Sequence, residues 1–128
     1  MSNKLERQFT LAEEKMSYAE MFMDRGNYAE VIHFIWTIFE ICINIIKEKA
    51  NNKSLYDHKP KIAVFRTYYE IGILKQDYSS LYNTLNLLRL RADFGEYGLA
   101  PKIPEKDIVQ GYLQNARELI GETRKYAC

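Results

Sequence analysis

Apolar residues recur along this chain with the helical period five times. No useful stretch shows the two-residue period of a half-buried strand. In the first stretch, roughly Asn3 to Arg25, Leu5, Phe9, Ala12, Met16, Ala19 and Met23 follow at intervals of 4, 3, 4, 3 and 4, which gives one apolar stripe on a helix. Gly26 suits the left-handed conformation that ends a helix. Asn27 with Glu30 three residues on forms a capping box for the next one. GNYAE therefore predicts a tight turn between two antiparallel helices.

The second helix is expected from Tyr28 to Ala50. At about 100° per residue, His33, Thr37, Glu40, Asn44, Lys47 and Glu48 share one narrow polar sector, and the rest of the surface is apolar from Val31 to Ile46. So wide an apolar arc exceeds what one neighbour covers, so the helix is expected to be central in a bundle and also shared with a second copy of the chain. The run, interrupted at His33, Thr37, Glu40 and Asn44, is too short and too polar to be expected across a bilayer.

Residues 51–59, NNKSLYDHK, read as a turn. A third helix is expected from Pro60 to about Leu74, with Ile62, Phe65, Tyr69 and Ile73 on one side. Asp77 is the N-cap of a fourth helix, whose core stripe is Tyr78, Leu81, Leu85, Leu88 and Ala92 and which Gly95 and Gly98 stop. Leu99 to Ile103 is a connection. Pro104 opens the fifth helix, with Ile108, Tyr112, Leu119 and Ile120 inward, and the final RKYAC is expected to fray. The sum is an all-α fold, an up-and-down bundle of four main helices plus a shorter fifth, in a single domain spanning 1–128.

Composition narrows the function classes. The chain has 128 residues, 47% hydrophobic, with a formal net charge of +1. There is no global field to draw nucleic acid or a membrane surface, so a nucleic-acid role would need a local patch. The two cysteines, Cys42 within the apolar helix and Cys128 at the end, suit a reducing cytoplasm better than a disulfide framework. The charged N-terminus carries no signal-peptide pattern. No metal-ligand spacing, phosphate-binding glycine loop or nucleophile elbow is present, so neither metal nor cofactor is expected.

The candidate chemistry lies in LRLRADFGEYG, residues 88–98. Arg89 and Asp93 stand four apart and can pair along one helical face. They form either a helix-terminal ion pair or part of an anion site, in which Arg89 and Arg91 meet phosphate or carboxylate and Phe94 and Tyr97 stack on a base. His33, Glu40 and Asn44 are either a solvated stripe or a polar cleft in which a His–Glu pair does acid–base work. His58 is either a helix-start hydrogen-bonding residue or a group that titrates near neutrality.

The order of these features resembles the HEPN family, the higher eukaryotes and prokaryotes nucleotide-binding domain, over about residues 5–122. The features are a long helix, the GNYAE turn, a Trp-containing apolar helix, a DHKP loop, a helix ending LRLRADFG and a last helix beginning IPEKDIVQGYLQNARELI. The resemblance implies a five-helix bundle that forms a homodimer. It also implies one of two branches: a metal-independent ribonuclease, often a toxin, or a non-catalytic protein encoded beside a small nucleotidyltransferase, binding that partner, its nucleotide or RNA. Arg89 matches the family arginine, Asp93, Phe94 and Gly95 match the Asp-Tyr-Gly often found after it, and His58 matches a histidine before the third helix. The family's catalytic histidine, four to six residues after the arginine, has no match: after Arg89 stand Asp93, Phe94 and Gly95, with Glu96 beyond, and after Arg91 stand Gly95, Glu96 and Tyr97. The expectation is therefore the non-catalytic branch, with Arg89, Arg91, Asp93, His33, Glu40, Asn44, His58 and Tyr97 as binding residues. The alternatives are a divergent ribonuclease using Arg89 with His33 or His58, or a structural dimeric scaffold.

Overall fold

The computed structural model describes residues 3–50, 61–94 and 102–128, and within 90–94 the helical backbone alone. Five helices account for nearly all of them: α1 (Asn3–Asp24), α2 (Tyr28–Ala50), α3 (Lys61–Glu70), α4 (Ser79–Phe94) and α5 (Lys106–Ala127). The all-α bundle of four long helices and one short helix is as the periodicity requires.

α2 is the hub. It packs against α1, α4 and α5 and touches α3. Nine of its side chains are buried, from Val31 to Ile46. The wide apolar arc is thus taken up largely by the chain's own helices. By length and composition α2 is long and apolar enough to cross a membrane, contrary to the sequence expectation. Within the bundle its apolar face is covered.

The turns follow from glycine chemistry. Gly26 has φ 72°, the Gly26 N–H donates to the Met23 carbonyl at 3.1 Å, and the Asn27 N–H donates to the Phe22 carbonyl at 3.0 Å. This Schellman motif ends α1 where the sequence expects. The same motif recurs at Gly72, with φ 85° and bonds from Gly72 to Tyr69 at 3.1 Å and from Ile73 to Tyr68 at 2.9 Å. α3 therefore ends at Glu70 and does not reach Leu74. Its buried face is Val64, Phe65 and Tyr68, while Ile62 and Tyr69 are exposed. α3 lies mainly on α4 and has only a narrow face to bury.

The connection from α3 to α4 is tied down by acids. The Asp77 carboxylate accepts the Ser79 N–H at 3.0 Å and pairs with Arg66 at 3.4 Å. The hydrogen bonds to Ser79 hold its carboxyl below the ordinary carboxylate range, with the Arg66 charge adding to them. Glu122 on α5 accepts from the Lys75 backbone and from the Tyr78 hydroxyl. Tyr82 is buried in α4, and Leu81 only partly so.

α5 begins at Lys106 with Glu105 as its N-cap, two positions after Pro104. Its buried stripe is Val109, Leu113, Ala116, Ile120, Thr123 and Ala127, with Leu119 alongside, and Ile108 is 52% exposed. Ala116 and Thr123 carry little hydropathy, yet their small side chains let α5 approach α2. The C-terminus does not fray: Ala127 is buried against Phe9 and Ile45.

Candidate functional site

Where α2, α3 and α4 meet, aromatic rings form the floor of a polar cluster. Phe65 of α3 packs on Phe39 of α2 at 5.8 Å between centroids and on Tyr82 of α4 at 5.1 Å. Tyr78 meets the Phe39 ring edge-on at 5.7 Å. Lys61, one turn before Phe65, and Glu40, next to Phe39, are carried to the rim by these anchors.

The Glu40 carboxylate is the centre of the cluster. Its Oε2 accepts the Lys61 ammonium at 2.8 Å and the Tyr82 hydroxyl at 2.9 Å. Charge-assisted bonds of this kind are about twice as strong as neutral ones. The side chains of Lys61 and Glu40 are 31% and 22% exposed, so the pair is only partly screened. The Tyr82 hydroxyl is pushed well above its ordinary range, first by burial and then by its bond to the Glu40 carboxylate and the charge there. Trp36 and the Arg89 charge pull it slightly the other way. Tyr82 is therefore a fixed donor, not a base.

Further along, the Arg89 guanidinium lies over the Trp36 ring, 4.2 Å from its centroid, and reaches Asn86 Oδ1 at 3.4 Å. α4 runs antiparallel to α2 here: Tyr82 meets Glu40, and two turns on Arg89 meets Trp36, one turn back. Stacking orients the guanidinium and is worth on the order of 0.5–2 kcal/mol, depending on desolvation. The result is a continuous face carrying Arg89, Trp36, Tyr82, Glu40 and Lys61.

The structure brings together two of the residues singled out from sequence, Arg89 and Glu40. His33 is half-buried and edge-on to Phe34 at 5.4 Å. Glu40 is engaged by Lys61 and Tyr82, not by His33. Seven residues also separate them by about 10 Å along the axis, so the His–Glu acid–base pair is not formed. Asn44 is exposed and joins none of these contacts. Arg91 and Asp93 lie on the last turns of α4, with side chains outside the described residues, and so the Arg89–Asp93 pairing is outside them too; His58 and Tyr97 lie wholly outside them. Trp36, Tyr82 and Lys61 were not among the sequence candidates. Their signal was weak: Trp36 and Glu40 are four apart at the border of the polar sector. Among the described residues no group of three or more His, Cys, Asp or Glu could hold a metal ion.

No family model, curated protein or solved structure matches this chain.

Proposed function

We propose that this chain is a non-catalytic binding protein of the HEPN type, and that its ligand is a nucleotide or the phosphate backbone and bases of RNA. The observation that carries the reading is the Arg89–Trp36 stack beside the Glu40 cluster. It presents a half-buried, oriented guanidinium suited to phosphate, on an aromatic surface suited to a base. Of the groups on this face, the Glu40 carboxylate is held by the Lys61 ammonium and the Tyr82 hydroxyl, and Tyr82 keeps its proton. An oriented arginine binds; it does not by itself take a 2′-hydroxyl proton. In the branch of the family suggested by the sequence, the nucleotide would be shared with a small nucleotidyltransferase partner. Affinity capture from a lysate of the source organism tests for that partner.

Trp36 is the only tryptophan in the chain, so the site reports on itself. Titration with nucleoside monophosphates and short RNA should change Trp36 fluorescence, and Arg89→Ala should weaken binding about ten-fold or more while moving the melting temperature little. A variant that mainly loses stability would make Arg89 a structural residue. RNA cleavage that persists in EDTA and vanishes in His33→Ala would replace the binding reading with the ribonuclease one.

A further inference from the structure

Glu40 uses its two oxygens unequally. Both donors, the Lys61 ammonium and the Tyr82 hydroxyl, converge on Oε2 at 2.8 and 2.9 Å. Oε1 takes no hydrogen bond from any described residue, although the side chain is only 22% exposed. Two donors occupy both lone pairs of Oε2. They also fix the carboxylate plane, so Oε1 is held in place. Arg89 and Trp36, on the same face, supply the phosphate and stacking partners. Next to them Glu40 Oε1 offers one oriented, charged acceptor.

We propose that Glu40 is a specificity-determining residue that selects ligands bearing an exocyclic amino group on a base, cytosine N4 or adenine N6, over uracil. The inference rests on the nucleotide-binding reading above. A carboxylate oxygen accepts only, and an amino group donates to it in a charge-assisted bond. Uracil places a carbonyl oxygen where cytosine has that amino group, so two acceptors face each other and the bond is replaced by repulsion. Guanine is read less well, because its adjacent N1–H and N2–H₂ call for two open carboxylate oxygens and Glu40 has one. Lys61 and Tyr82 do not touch the base; they position Glu40.

Cytidine and uridine monophosphates share phosphate, sugar and ring size, and they differ on the base edge alone, where the amino group at C4 and the bare N3 of cytosine become a carbonyl and an N3–H in uracil. Titrated against the full chain and followed by Trp36 fluorescence, the cytidine nucleotide should bind about ten-fold more tightly, the size expected for one hydrogen bond to a charged group. Glu40→Gln, whose amide both donates and accepts, should bring the two affinities close together. Equal affinities in the unmodified chain would overturn the assignment of Glu40 and leave nucleotide binding standing. No response to either nucleotide would overturn both. The comparison in the unmodified chain needs no variant to fold. If Glu40→Gln does unfold, Tyr82→Phe, which removes one of the two bonds that position the carboxylate, should lower the preference for cytidine, and a preference unchanged there would overturn the positioning of Glu40.

Discussion

At the scale of single residues, the two thiols of this chain have opposite surroundings. Cys42 is fully buried in α2, and burial pushes its pKa from 9.0 up to about 12, against a smaller lowering by a bond with Thr123. Cys128 is exposed. The folded pKa of Cys42 lies above the unfolded one. Its burial therefore contributes fully below pH 9 and is eroded as pH rises from 9 toward 12. One thiol per native chain should react with a water-soluble thiol reagent at pH 8, and the second only in denaturant. Two fast thiols in the native state would contradict the packing of α2 against α5. The inertness of Cys42 was legible because it stands among isoleucines. The site was legible only in part. Arg89 and Glu40 stand out as charges in apolar surroundings, whereas Trp36 and Tyr82 look like ordinary core residues. Only the crossing of α4 over α2 makes them neighbours of a charge. Lys61 sits in a polar stretch where one lysine does not differ from the next.

At the scale of elements, the helices were read well where the stripe is made of large residues and poorly where it is made of small ones. α1 shows Leu5, Phe9, Met16 and Met23 on one face. α5 hides its true face behind Ala116 and Thr123, so Ile108 drew the prediction one position round the helix. The apolar period continues to Ile73, so the pattern predicts a longer α3 than the one that Gly72 ends. The φ of 85° at Gly72 is what ends the helix. A Cβ built there meets nothing within 4 Å, so substitution brings backbone strain without a steric clash. Gly72→Ala should then cost about 1–2 kcal/mol, the usual penalty for an L-residue in the left-handed region, measured as a lower denaturant midpoint with an unchanged slope. A neutral result would mean that the turn relaxes to another conformation, freeing Lys75 and Tyr78 from Glu122.

At the scale of the whole molecule, the bundle itself covers much of the apolar surface of α2. The breadth of the apolar arc on α2 suggested both a central position and a shared surface. The bundle accounts for the first: α1, α4 and α5 cover Val31, Ile35, Ile38, Phe39, Cys42 and Ile46, each of which is fully buried within one chain. A single chain therefore leaves little of that arc to drive association, and the homodimer rests on the family resemblance rather than on hydropathy. The apolar residues that are exposed on α1, Leu11 at 41%, Tyr18 at 39% and Met21 at 37%, lie on one side of the helix, each only partly exposed and set among charges. If the chain dimerises as the resemblance implies, sedimentation at micromolar concentration should give a species of twice 15.1 kDa, and the association should be independent of the α2 core. A species of 15.1 kDa alone would remove the homodimer. The described residues of the Arg89–Trp36 face would be unaffected, because all of them come from α2, α3 and α4 of the same molecule. Nucleotide affinity should accordingly be the same above and below any dimer transition, and an affinity that rises with protein concentration would show that a second copy completes the site.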